Sequence, residues 1–111
     1  MDTLDRYRDI IENVLAEYTT IKYAWGDVKC RPIFDRRHDN YALVTLGWNG
    51  RKRTHYCLVH IEVIDGKIWI QEDGIEHGIV TDLERAGIPK NDIVLGFQPP
   101  DVRPLTEYAA A

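Results

Sequence analysis

The chain contains no serine, one methionine, two phenylalanines and two cysteines. Without serine there is no G-x-S-x-G nucleophile elbow, and a nucleophilic hydroxyl would have to come from threonine or tyrosine. There is no P-loop and no G-x-G-x-x-G turn to cradle a phosphate. Cys30 and Cys57 form no CxxC pair, and no histidine stands at zinc-finger spacing from them. The expectation for both is a buried or half-buried free thiol acting as a small apolar filler. No apolar run approaches the roughly 20 residues of a membrane span. Met1-Asp2-Thr3-Leu4-Asp5 lacks the basic-then-apolar layout of a secretory signal, so a cytoplasmic protein is expected. These absences give little support to an enzyme, and no catalytic residue, metal or cofactor is assigned.

What is present fits one folded domain over residues 1–111. The composition is 44% hydrophobic and 29% charged, which favours a packed core over disorder. Fourteen basic and 18 acidic side chains leave a formal net charge of −4, which argues against a generic nucleic-acid binder but not against a local basic patch.

Residues 2–19 carry Leu4, Tyr7, Ile11, Val14, Leu15 and Tyr18 at three- and four-residue steps, the spacing of an amphipathic helix. Asp2 or Thr3 can cap its start. Gly26-Asp27 reads as a turn. Four strands are then expected, over Val28 to Asp35, Tyr41 to Trp48, about Thr54 to Ile64, and Lys67 to Glu72. Pro32 cannot donate to a ladder, which places the first strand at an edge or on a bulge. Asn49-Gly50 and Asp65-Gly66 are hairpin signals. A second helix is expected over Gly78 to Ala86, stopped by Gly87 and Pro89. Ile93-Val94-Leu95 is a short buried segment, strand or turn. The tail from Pro99 keeps Val102, Leu105 and Tyr108 and is expected to pack on the body. The fold class is α+β: an N-terminal helix and a second short helix on one face of a curved antiparallel sheet of about four to five strands.

The hairpin turns assign faces. A two-residue loop at Asp65-Gly66 sets Val63 opposite Ile68, Ile61 opposite Ile70, Glu62 opposite Trp69 and His60 opposite Gln71. A two- or four-residue loop at Asn49 sets even positions of the second strand beside odd positions of the third. The expected dry face is then Ala42, Val44, Leu46, Trp48, Cys57, Val59, Ile61, Val63, Ile68 and Ile70. The other face carries Tyr41, Leu43, Thr45, Tyr56, Leu58, His60, Glu62, Trp69 and Gln71. Its mixture of aromatic and polar groups suits an interface or a groove.

The stretch GKIWIQEDGIEHGI, residues 66–79, gathers Glu72, Asp73, Glu76 and His77. Acids beside a histidine can hold a metal or move protons, and a metal-dependent hydrolase is one reading. The spacing matches no EF-hand or zinc pattern. The plainer reading is a strand end, an Asp73-Gly74 turn with glycine at positive φ, and acids at a helix start. His60 is the best lone titratable candidate, read as a hydrogen-bonded interface histidine. Arg51-Lys52-Arg53 sits on a hairpin tip, a solvated tip by default and a phosphate-contacting hairpin by alternative. Arg36-Arg37 lies a strand length away.

Four stretches together resemble the XisI-like family, the fdxN element excision controlling factor proteins of cyanobacteria. They are LDRYRDIIENVLAEY, WGDVKCRPIFDRRHDNYALVTLGWNGRKR, YCLVHIEVIDGKIWIQEDGIEHGI and AGIPKNDIVLGFQPPDVRPLTEYAAA, and they span the chain almost end to end. Trp25, Ile75 and Tyr108 depart from the family's usual tyrosine, threonine and phenylalanine. The matching positions include Asp35, Trp48, His60, Trp69, Gln71, Asp73, Gly74, Glu76, Pro89, Asp92, Arg103, Thr106 and Glu107.

The resemblance implies an α+β fold, and a role in controlling excision of a DNA element by a separate site-specific recombinase. It implies a XisH-like protein as partner and carries no established catalytic residue. The function expected is therefore a non-enzymatic accessory factor that binds its partner through Tyr41, Tyr56, Leu58, His60, Trp69 and Gln71. Self-association of the same face into a homo-oligomer is another use. The alternative is a DNA-binding regulator using Arg51, Lys52 and Arg53, with DNA contacted weakly or only within a complex.

Overall fold

A computed structural model describes residues 2–20 and 27–111. Helix α1 spans Thr3–Tyr18, and the Asp2 carboxylate caps it by accepting the Leu4 N–H at 2.7 Å. Strands β1 (Asp27–Asp35), β2 (Asn40–Asn49), β3 (Lys52–Ile64) and β4 (Lys67–Asp73) follow in antiparallel order. Helix α2 (Ile79–Arg85) leads to β5 (Ile93–Leu95), which joins β4 in parallel. The result is a five-stranded α+β sheet in chain order with β1 at an edge, as Pro32 requires. The Gly26-Asp27 turn and Trp25 lie wholly or partly outside the described residues.

One core joins the helices to one face of the sheet. Tyr7, Ile11 and Leu15 of α1 and Ile79 and Leu83 of α2 meet Tyr41, Leu43, Val59, Ile61, Ile68 and Ile70. At the β3–β4 hairpin, Asp65 and Gly66 both take positive φ, and Ile64 pairs with Lys67. The expected pairs Val63–Ile68, Glu62–Trp69 and Ile61–Ile70 form. His60 instead faces Glu72, because Gln71 is an extra residue in β4.

The face of β2 is the reverse of the expectation. Asn49 pairs with Lys52 around a Gly50-Arg51 loop, and even-to-odd pairing holds as far as Val44–Cys57. The next pair is Leu43–Val59, so Leu58 is inserted without a partner on β2. Beyond this bulge odd residues meet odd residues, and Tyr41 joins Ile61 in the core. Side chains alternate with period two, so one inserted residue carries the whole base of β2 to the other face. Tyr41 and Leu43 are fully buried and Leu58 is 9% exposed. Ala42, Val44, Leu46 and Trp48 take the open face, and Cys57 is exposed rather than core. Cys30 is buried, as expected.

The C-terminal segment packs back in part. The Ala109 N–H donates to the Ile93 carbonyl at 2.8 Å, and Tyr108 packs against the core. Leu105 does not pack: it is 84% exposed.

Candidate functional site

The face of the sheet away from the helices is a graded surface. Cross-strand pairing sets Arg31 beside Val44 and Cys57, and Lys29 beside Leu46 and His55. Trp48 stands between Asp27 and Arg53, with the Arg53 guanidinium 5.1 Å from its ring centre. Toward the base, Ile33, Ala42 and His60 form one row, and Asn40, Glu62 and Trp69 the next. Cations thus lie at the β2–β3 tip, while Glu62 and Glu72 lie at the base.

Of the six residues read as contacts, the structure brings three together. His60 Nε2 lies 2.9 Å from the Asn40 side-chain oxygen. Gln71 donates to Glu62 at 3.3 Å. Trp69 is half-buried beneath Arg103, whose guanidinium carbon sits 4.9 Å from the ring centre. Arg103 is itself held by the carbonyls of Gln98 at 3.0 Å and Gly96 at 3.3 Å. Tyr56 is exposed but belongs to the opposite side of the arm, in register with Thr45. Tyr41 and Leu58 are core residues and present no surface. The Tyr41 hydroxyl donates to Asp39 at 3.1 Å, and burial followed by this bond pushes its pKa up to about 12.

Arg51, Lys52 and Arg53 are all exposed at the tip. Arg36 lies at the other end of β2, engaged with Glu12 at 2.6 Å and Asp9 at 3.0 Å. Lys29, Arg31 and Trp48 are the residues that sequence reasoning did not bring to the basic tip. Their signal is the β1–β2 register, which no local pattern encodes.

The acidic stretch resolves into separate structural roles. Asp73 accepts the N–H of Ile75 at 3.1 Å and that of Ile79 at 3.0 Å, tying β4 to the start of α2. Gly74 is needed for close approach rather than for positive φ: a Cβ there would meet Leu58 Cδ1 and the Leu58 carbonyl, both at 2.9 Å. Glu72 and Glu76 point to solvent. Among the described residues, no three His, Cys, Asp or Glu side chains are placed to hold a metal ion.

His77 joins a different cluster. Tyr18 donates to Asp82, and His77 Nε2 lies 3.1 Å from the same carboxylate and 3.2 Å from the Tyr18 oxygen. Tyr18 and Asp82 border a groove of about 240 Å³ between α1 and α2, lined also by Val14, Glu17, Arg85 and Ala86. Burial and the Asp82 bond raise the Tyr18 pKa, so this hydroxyl is a poorer acid than usual. For Asp82, burial alone would raise the pKa, but the bonds from Tyr18 and His77 outweigh it and the net shift is downward. The cluster is a clasp between two helices. Other matching positions also do structural work: Tyr7 donates to Asp92 at 2.6 Å, Lys90 pairs with Glu107 at 2.6 Å, and Thr106 donates to the Arg103 carbonyl at 2.8 Å.

No helix among the described residues is long and apolar enough to cross a membrane. No curated relative matches the chain. Solved structures do, among them two from Anabaena variabilis. A XisI-like protein of Anabaena variabilis is 32% identical, with a TM-score of 0.90 over 98% of this chain and 100% of that one. The fdxN element excision controlling factor XisI of the same organism is 39% identical, with a TM-score of 0.82 over 99% of this chain and 100% of that one. The family model described as XisI protein matches residues 1–110. The chain belongs to the XisI protein family.

Proposed function

We propose that this protein is a non-enzymatic accessory factor in the excision of a DNA element, and that it acts by binding a XisH-like protein partner. The observation that carries the reading is end-to-end membership of a family in which a 39% identical relative is an fdxN element excision controlling factor. The contact surface is the base of the open sheet face. His60, Trp69 and Gln71 remain in it, and Ile33, 57% exposed on β1, joins them. Tyr41 and Leu58 leave it because they are buried. The base offers an aromatic with a polar neighbourhood and half-buried apolar side chains, the composition of an interface centre.

The test is co-expression of the chain with a XisH-like protein of the same organism, followed by affinity capture. Near-equal recovery is expected, and a His60→Ala/Gln71→Ala variant should lose the partner while its melting temperature stays within a few degrees. No capture of the XisH-like protein by the unaltered chain removes that partner. Full capture by the variant removes the surface.

A further inference from the structure

The β2–β3 arm and the outward side of β1 beside it form a second, separate surface. Lys29, Arg31 and Arg53 face outward on it beside one carboxylate, Asp27, Arg51 stands in the loop at its tip, and Lys52, in register with Asn49, lies on the reverse side of that tip. Lys29, Arg31, Arg51 and Arg53 thus stand against one anion on a chain whose formal net charge is −4. Among the described residues none of the four has a carboxylate within salt-bridge distance, whereas Arg8, Arg36 and Lys90 each engage two. Concentrated like charge without counter-charges is self-repelling, and a polyanion relieves it. The cation-bearing face also carries one exposed aromatic ring, Trp48 at 48%, while Tyr56 at 49% is on the reverse side. Arg53 holds the Trp48 ring from one side.

We propose that this arm binds the phosphodiester backbone of DNA through Lys29, Arg31, Arg51 and Arg53, with Trp48 as an apolar platform beside them. The proposal rests on the excision role given above and deepens it by assigning DNA contact to this chain itself. Two features favour a nucleic acid over an acidic protein. Along β1, Lys29 and Arg31 repeat at about 7 Å on one face, a spacing for serial phosphate contacts rather than a single carboxylate. An exposed aromatic ring among cations, as Trp48 is, belongs to the equipment of nucleic-acid surfaces that stack bases. Arg53 and His60 are seven residues apart on β3, about 23 Å at strand rise, so partner and DNA need not compete.

The test is fluorescence anisotropy of the full chain, alone, with a labelled duplex and a single strand of the same sequence. Binding is expected at about 50 mM salt and should weaken by about 10²-fold by about 200 mM if all four charges engage. The Arg51→Gln/Lys52→Gln/Arg53→Gln variant should lower the salt slope by about 2, since Lys52 is on the reverse side. Arg37→Gln/Arg85→Gln, two exposed cations elsewhere, should leave it unchanged. Weakening by Trp48→Ala on the single strand alone would support single-stranded DNA as the ligand. Equal charge effects on both probes would support the shared backbone. Absence of binding to either probe at low salt overturns the proposal, as does equal weakening by the control variant. It is also overturned if the triple variant keeps DNA but loses the XisH-like protein, which would make the arm a protein contact. Since the chain is titrated alone, failure here leaves the partner reading standing, and failed partner capture leaves this one standing.

Discussion

Asp73 reaches across five intervening residues to accept the N–H of Ile79 at 3.0 Å, while its other oxygen accepts from Ile75 at 3.1 Å. Helix α2 starts at Gly78, which has no side chain to cap it, so the end of β4 supplies the cap instead. The Asp73→Ala variant leaves two backbone donors without partners and should cost about 1–2 kcal/mol. Urea denaturation would show it as a lower midpoint with unchanged slope. An unchanged midpoint would mean that the acidic loop is not held this way.

Tyr41 and Trp48 separate the two faces of β2. Tyr41→Ala removes a fully buried ring and should destabilise by about 3–5 kcal/mol, whereas Trp48→Ala at the exposed tip should stay within about 0.5 kcal/mol. Thermal unfolding of the two variants side by side is the check. Equal losses would restore the face assignment that the bulge at Leu58 reverses.

Thr45 is 1% exposed, and its hydroxyl has no hydrogen-bond partner among the described residues. Thr45→Val keeps the shape and removes the orphaned oxygen. A gain of about 1 kcal/mol is expected, read as a higher denaturation midpoint. A loss would reveal a partner for that hydroxyl in the folded protein.

Acid should unfold the protein through Asp39. Arg8 donates to it at 2.8 Å and 3.1 Å and holds its carboxyl below the ordinary range against the opposing effect of burial. A carboxylate depressed in the folded state binds fewer protons than its unfolded counterpart. Its stabilisation is therefore complete above the unfolded value of about 3.9 and is lost as pH falls through the folded value. Asp82 is shifted in the same direction. Melting temperatures should hold steady from neutral pH to about 5 and drop below about 4. Asp39→Asn should melt lower at neutral pH and show a shallower acid limb; an acid limb as steep as the parent's would exclude Asp39 as its source.

The open face of the sheet was only half legible from sequence, and the reason lies in two particular residues. His60 and Trp69 were placed correctly because Asp65-Gly66 is a turn whose length sets the β3–β4 register nearby. Tyr41 and Leu58 were misplaced because the Leu58 bulge carries no sequence mark: Cys57-Leu58-Val59 reads as an ordinary strand. Arg103 was singled out by family resemblance, but its stacking on Trp69 joins residues 34 positions apart, beyond the reach of periodicity.

The sequence by itself determined the elements, their order and the family, because helix periodicity, turn residues and long motifs are local. It also determined that Ile61, Ile68 and Ile70 would be core. Tertiary structure alone decided which side of β2 faces the helices, because one inserted residue inverts a period-two pattern. It alone gathered Lys29 and Arg31 with Arg53, since strand pairing rather than sequence distance sets which charges become neighbours.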